Sequence, residues 1–285
     1  MRVAVTGGGG FVGRHVLAEL TRRGIAATQL VRRSALPAAA GSRDELVDFA
    51  LGDAAGQAFA DAGRPDVLIH LAWGGLPNYD SAHHVDQELP AHVGWLTGMV
   101  RAGLPHVVVA GTCFEYGLQQ GELREDMPTR PANAYGIAKD TLRRSLEALA
   151  EAHPAMQRFA LTWARLFYMH GEGQAPNALW PQLRAAVARG DSSFPMSGGD
   201  QQRDYLPVAE VARRLVGLAL HRHGSGIVNI CSGRPVAVRA LVDGWIASHG
   251  WAIRPELGHY PYSPHEQMAF WGNPSKFDRC CTEAR

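Results

Sequence analysis

The stretch "VTGGGGFVGRH", residues 5–15, decides the fold. It joins a short apolar run, "RVAVT" (2–6), to a helical pattern from Phe11 to Arg23 that Gly24 closes. Gly7, Gly10 and Gly13 stand in G-x-x-G-x-x-G spacing, directly after a strand and opening a helix. Glycine lets the backbone turn tightly and approach a pyrophosphate, while the helix N-terminus offers free N–H donors and a positive dipole end. Phe11 and Val12, at the junction with the helix, belong to the same candidate dinucleotide contact. The competing reading is a merely flexible glycine turn, and the strand and helix on either side weigh against it.

Outward from this loop the alternation continues. "ATQLV" (27–31), "ELVDF" (45–49), "DVLIHLA" (66–72), "HVVVAGT" (106–112) and "RFALTWARL" (158–166) read as strands. The nearly all-apolar ones suit a sheet covered on both faces. Helices fit at about 84–102 and 134–152. Alternating strands and helices predict an α/β fold, a parallel sheet with right-handed crossovers. Residues 1–166 are expected to form the dinucleotide-binding domain. Residues 167–285 hold helical stretches at about 177–189, 208–222 and 237–249. They read as a smaller substrate-binding lobe, following the first or interleaved with it.

Composition narrows the function classes. Hydrophobic residues at 46% and charged residues at 19% describe an ordinary soluble protein with a sizeable core. A net charge of +1 gives no basic field, which disfavours nucleic acid or an anionic membrane as partner. The opening "MRVAVTGGGG" lacks the apolar core of a secretory signal, and no apolar run reaches membrane-spanning length. Cys113, Cys231, Cys280 and Cys281 fit neither a disulfide framework nor zinc spacing, so free thiols in the cytoplasm are expected. His83, His84 and "HRH" (221–223) look like metal ligands only superficially and read as solvated helix ends; no metal is expected.

The second strand runs into "LVRRS", which sets Arg32, Arg33 and Ser34 where a ribose-binding acid would stand. Guanidinium suits the 2′-phosphate of NADP, so NADPH is favoured over NAD, against the reading of two solvated arginines. Asp53 in "LGD" is a weaker candidate for the adenine amino group. "GTCFEYG" (111–117) follows the strand 106–112, and strand ends on this side face the ligand crevice. Thr112 therefore presents a hydroxyl near the expected nicotinamide. In "AYGIAKD" (134–140), with Asn133 as a candidate cap, Tyr135 and Lys139 project one turn apart from the same helix face. A neighbouring ammonium would favour the phenolate and lower the Tyr135 pKa from about 10. The three side chains form a candidate catalytic set, with a chance surface pair as the alternative.

With these motifs in view, the chain resembles the extended short-chain dehydrogenase/reductase family, the group of nucleotide-sugar epimerases, dehydratases and 4-ketoreductases. The resemblance covers essentially the full length, through "TGGGGFVG", "HLAW" (70–73), "GTCFEYG", "YGIAK", "WARLFYMHGEG" (163–173) and "QQRDYLPVAEVA" (201–212). It implies a Rossmann-type doubly wound parallel sheet with a smaller C-terminal lobe. It also implies catalytic Thr112, Tyr135 and Lys139, the latter two touching cofactor as well. Leu71, Ala72 and Trp73 would line the cofactor, and Arg203 would contact a nucleotide-sugar diphosphate. Arg165 and Tyr168 would border the sugar. A salt bridge from Arg203 to Asp200 or Asp204 is the competing reading. The dehydratases of the family carry acidic residues at the two positions after the threonine. Here those are Cys113 and Phe114, and Glu115 comes one place late, which disfavours dehydration.

The leading expectation is NADPH-dependent reduction of the C4 ketone of a nucleotide-activated 4-keto-6-deoxyhexose. A 4-epimerase that retains its cofactor is the alternative, and a non-catalytic dinucleotide sensor a third reading. Family members commonly form homodimers through the helices placed at 84–102 and 134–152. Leu89, Val93, Leu96 and Val100 give the first of these an apolar stripe that would serve an interface or a core face.

Overall fold

The computed structural model describes residues 1–31, 45–48, 54–152, 159–221, 224–263 and 266–282. The chain begins β1 (Val3–Thr6), α1 (Phe11–Arg22), β2 (Ala27–Val31), β3 (Glu45–Asp48), α2 (Ala55–Asp61) and β4 (Val67–His70). A π-helical turn (His84–Glu88) runs directly into α3 (Leu89–Arg101) and leads to β5 (His106–Thr112). A 3-10 turn (Cys113–Tyr116), β6 (Gly121–Leu123), α4 (Ala134–Ala152) and β7 (Ala160–Leu166) follow. The remainder comprises β8 (Tyr168–His170), α5 (Leu179–Arg189), β9 (Ser193–Pro195), β10 (Gln202–Pro207) and α6 (Val208–Leu220). It ends with β11 (Gly226–Ile230), β12 (Pro235–Ala237), α7 (Val238–His249), β13 (Arg254–Glu256), β14 (Phe270–Gly272) and α8 (Ser275–Thr282).

Among the described residues, seven strands form one parallel sheet in the order β11-β7-β5-β4-β1-β2-β3. The expected strands and major helices stand within a few residues of their predicted bounds, and the fold is the doubly wound Rossmann type. The all-apolar reading of the central strands holds: Val67, Leu68, Ile69 and Val107 to Val109 are fully buried. On one face Val16 and Leu20 of α1 meet Val211 and Leu215 of α6. On the other, Phe59 of α2, Trp95, Leu96 and Met99 of α3, and Leu142 and Leu146 of α4 share a core. Burying each such side chain stabilises by about 1.5–3 kcal/mol.

The division expected at 166/167 is not a simple cut along the chain. β11 returns to the sheet beside β7, and α6 packs against α1, so the two units interleave. What stands apart is a smaller core of Leu183, Phe194, Val242 and Trp245 from α5, β9 and α7. Of the short sheets, β13-β9 belongs to that lobe, whereas β14-β6 pairs a strand of the C-terminal part with one between β5 and α4, and β12-β10-β8 joins strands flanking α5, α6 and α7. The apolar stripe on α3 is used within this chain: Leu96 and Val100 are buried, and Leu89 and Val93 pack against the same core. No helix among the described residues is long and apolar enough to cross a membrane.

Candidate active site

Strand order reverses between β1 and β4, which opens a crevice beyond their carboxyl ends. The glycine loop fills the β1 side. Gly7 has φ +71°, and a Cβ there would lie 2.7 Å from the Ala72 backbone nitrogen. A Cβ on Gly13 would lie 2.0 Å from the Gly7 carbonyl oxygen, so no larger residue fits either position. Gly10 caps α1 and donates its N–H to the Gly7 carbonyl at 2.9 Å; Phe11 and Val12 begin the helix. Thr6 Oγ1 accepts the N–H groups of Leu71 and Ala72 at 3.2 and 3.4 Å, which locks the β4 exit against the loop. The cradle and helix N-terminus fit a dinucleotide. Arg32, Arg33, Ser34 and Asp53, expected to take its adenosine half, lie outside the described residues.

Thr112 ends β5 and caps the 3-10 turn. Its hydroxyl accepts Phe114 N–H at 3.2 Å, while its own N–H donates to Glu115 Oε1 at 2.8 Å. Asn133 caps α4 as expected, its Oδ1 accepting Gly136 N–H at 2.7 Å. The first turns of α4 present Tyr135, whose phenol pairs with the Thr112 hydroxyl, and Lys139, whose ammonium donates to the Ala110 carbonyl at 2.9 Å. The three candidate catalytic side chains meet at the carboxyl end of β5.

The electrostatics differ from the expectation. Tyr135 is 8% exposed, and burial pushes its phenol above the ordinary tyrosine range, with the Thr112 hydrogen bond acting in the opposite sense. Lys139 does not pull it down; Lys139 Nζ lies 5.9 Å from the Tyr135 ring centroid. Burial lowers the Lys139 amine to about 7, against the carboxylates of Glu115 and Glu88. Desolvation of two charges outweighs their proximity.

Glu115 turns inward. It is fully buried and accepts from Trp163 Nε1 at 2.9 Å and Arg165 Nε at 2.7 Å. Arg165, expected to border the sugar, is therefore committed behind the Thr112 turn, its guanidinium 4.4 Å over the Tyr116 ring. A buried carboxylate requires such a partner. Arg203 and Tyr168 do lie together on the Cys113 side of the turn, the guanidinium 5.9 Å from the Tyr168 ring and 4.6 Å from Phe270. Arg203 pairs with Glu266, not with Asp200 or Asp204. Asp204 instead accepts the N–H groups of Ser232 and Gly233 at 2.6 and 2.8 Å, and Asp200 pairs with Arg239 at 3.0 Å.

Trp73, expected from the sequence only to line the cofactor, belongs to a group whose members His84, Glu88 and His92 received no site role there. The Trp73 indole lies 3.9 Å from Lys139 Nζ and is stacked on His92, centroids 4.5 Å apart at 14°. Its Nε1–H donates to His84 Nδ1 at 3.1 Å, and His84 Nε2 reaches the Asn78 carbonyl at 2.8 Å. His84 is thus buried in the site, not a solvated helix end; His83 reaches Glu88 at 3.1 Å. The available signal was His92 and Glu88 at i, i+4 spacing.

The NAD-dependent epimerase/dehydratase family model matches residues 3–231. The chain is 29% identical to a dTDP-6-deoxy-L-talose 4-dehydrogenase (NAD(+)) of Aggregatibacter actinomycetemcomitans, over 95% of this chain and 99% of that protein. It is 30% identical to a UDP-glucose 4-epimerase of Azospirillum brasilense, over 85% of this chain and 75% of that one. Among solved structures, MoeE5 in complex with UDP-glucose and NAD superposes with a TM-score of 0.80 at 26% identity. That match covers 98% of this chain and 91% of MoeE5. With a dinucleotide cradle, a converging Thr–Tyr–Lys set and a family match along most of its length, the chain belongs to the NAD-dependent epimerase/dehydratase family, the extended short-chain dehydrogenase/reductases.

Proposed function

We propose that this protein reduces the C4 ketone of a nucleotide-activated 4-keto-6-deoxyhexose, with NADPH as hydride source. The observation that carries the reading is the meeting of Thr112, Tyr135 and Lys139 at the end of β5, beside the glycine cradle. Gly7, Gly10, Gly13 and the first turn of α1 would hold the dinucleotide, with Leu71 and Ala72 along its path. The bound nicotinamide supplies the hydride. Thr112 orients the ketone oxygen against the phenol. Tyr135, which burial keeps protonated, donates its proton to the oxygen as negative charge develops there. Lys139, one turn further along the same helix face, would hold the nicotinamide ribose. Arg203, with Tyr168, is the candidate for the substrate diphosphate.

A relative named for oxidation at C4 of dTDP-6-deoxy-L-talose supports this reading, because that reaction run backward is a C4 ketone reduction. A relative named UDP-glucose 4-epimerase supports the alternative, in which the same three residues serve two successive hydride transfers on a retained cofactor. The preference for NADPH rests on Arg32 and Arg33 alone, since the 4-dehydrogenase relative is named for NAD(+). Incubation with NADPH and a panel of nucleotide 4-keto-6-deoxysugars decides between them. The reductase consumes NADPH in proportion to product, whereas conversion of a 4-hydroxy sugar without net NADPH loss overturns it in favour of the epimerase.

A further inference from the structure

We propose that Trp73, clamped by His92 and Glu88, is a positioning residue whose indole face keeps the Lys139 side chain protonated in its buried site. The inference rests on Lys139 acting in the reaction proposed above.

Lys139 is 2% exposed, an expensive place for an ammonium. One donor is taken by the Ala110 carbonyl of β5. Tyr135, a turn earlier on α4, offers a neutral phenol. From the 3-10 turn Glu115 contributes a carboxylate, but Arg165 holds it at 2.7 Å and Arg143 approaches it at 3.9 Å, so two cations share its charge. On β4, His70 is held neutral, chiefly by burial. Glu115 still leads the charges that favour the ammonium, and beside it stands the stack Lys139–Trp73–His92–Glu88. An indole face carries negative potential, and a cation over it in a desolvated site is held strongly. Trp73 stacks on His92, whose Nε2 meets Glu88 Oε2 at 3.1 Å. Glu88 also takes the N–H of Gly74 at 2.6 Å, and the His92 hydrogen bond leads the contacts that lower its carboxyl to about 2. A fixed anion thus holds the ring on which the indole stacks.

With neutral rings, one assignment of hydrogens satisfies the whole cluster. Glu88 accepts from His92 Nε2–H, and His92 Nδ1 accepts from His70 Nε2–H at 2.7 Å. His70 Nδ1 accepts from the Thr6 hydroxyl at 2.9 Å. Every dipole in that run from the glycine loop points its positive end toward Glu88, which fixes the His92 ring and the indole lying on it. The sequence adds an independent sign. Lys139 and Lys276 are the two lysines in a chain of 28 cationic Lys and Arg residues. Arginine serves almost everywhere else, and it does not titrate near neutrality.

The two lysines make the test direct. In protein labelled with carbon-13 lysine, the ε-methylene signals are followed against pH without cofactor; Lys139→Met identifies the Lys139 signal and Lys276 is the internal reference. The native Lys139 midpoint is expected near 7. Trp73→Leu is expected to lower it by about one pH unit, as loss of a desolvated cation–π contact requires. Glu88→Gln, which keeps the side-chain shape, is expected to lower it in the same direction, and Trp73→Phe to restore most of the shift. The alkaline limb of kcat against pH is expected to move by the same interval, which a merely structural tryptophan would leave in place. An unmoved Lys139 midpoint in Glu88→Gln and in Trp73→Leu overturns the inference; should the leucine variant not fold, Glu88→Gln decides alone. The parent reading fails on a different result, retention of turnover by Lys139→Met.

Discussion

Tyr135 and Lys139 were legible because a helix converts four-residue spacing into side-by-side projection. Their ionisation was not, because it depends on burial that only the folded chain supplies. The phenol is the more protonated partner, which suits it to donate. Tyr135→Phe keeps the ring and the packing, so cofactor binding should survive while turnover falls by about 10²-fold or more. Thr112→Val should cost less, since it removes orientation and leaves the acid. Comparing turnover with NADPH affinity in both variants checks the assignment, and near-normal turnover of Tyr135→Phe would defeat it. Glu115 makes the opposite case. Its place in "GTCFEYG", one residue late for an acid–base role, disfavoured dehydration, and the structure spends it on Arg165 and Trp163. Glu115→Ala leaves a guanidinium buried without its anion and should lower stability by about 3 kcal/mol or more. The midpoint of urea unfolding reads this out.

At the scale of elements, long periodic segments declared themselves and short ones did not. α4 stands at its expected bounds because Asn133 marks its start and its apolar residues repeat along one face. α2 escaped notice: "AGQAFAD" offers about two turns of pattern, and its cap residue Ala54 makes no side-chain hydrogen bond. The three-residue strands of the smaller lobe carry no period that a sequence can reveal. α1 also contains a charge device that periodicity hides. Glu19, nearly buried against α6, takes Arg22 and Arg23 at 2.7 Å each, and the Arg22 hydrogen bond leads the contacts that lower its carboxyl to about 2. A carboxyl depressed on folding contributes stability that is fully present above its unfolded value near 4.5 and lost as pH falls toward 2. Because both arginines reach solvent, that contribution is on the order of 1 kcal/mol. Glu19→Gln should therefore unfold more easily than the native chain at pH 7, with the gap closing between pH 4.5 and pH 2. Parallel urea titrations across that range measure it, and a gap that does not change with pH would rule it out.

For the whole molecule, the parallel sheet was legible in the alternation of the first half, and interleaving was allowed for, but which later elements return to the sheet was not specified: they are β11 and α6. Nothing local distinguishes a strand that joins the large sheet from one that stays in the lobe. Interleaving matters to function because it fixes the Cys113, Tyr168 and Arg203 side of the site to the sheet that carries Thr112. The cofactor then becomes the quantity by which the assembled protein is best judged. A ligand that binds the folded chain alone stabilises it by about 2.7 kcal/mol at a concentration 100 times its Kd. For a chain of this size that is a rise of about 5 °C in Tm. If Arg32 and Arg33 grip a 2′-phosphate, NADPH should give this rise at a lower concentration than NADH. Replacing both arginines with alanine should remove about 1.5–3 kcal/mol per lost charged hydrogen bond from the NADPH response and leave the NADH response in place. Melting curves of the native chain and the double variant against both nucleotides test this directly. Equal responses of the native chain to the two nucleotides would eliminate the phosphate preference while leaving the glycine cradle and the Thr112–Tyr135–Lys139 chemistry intact.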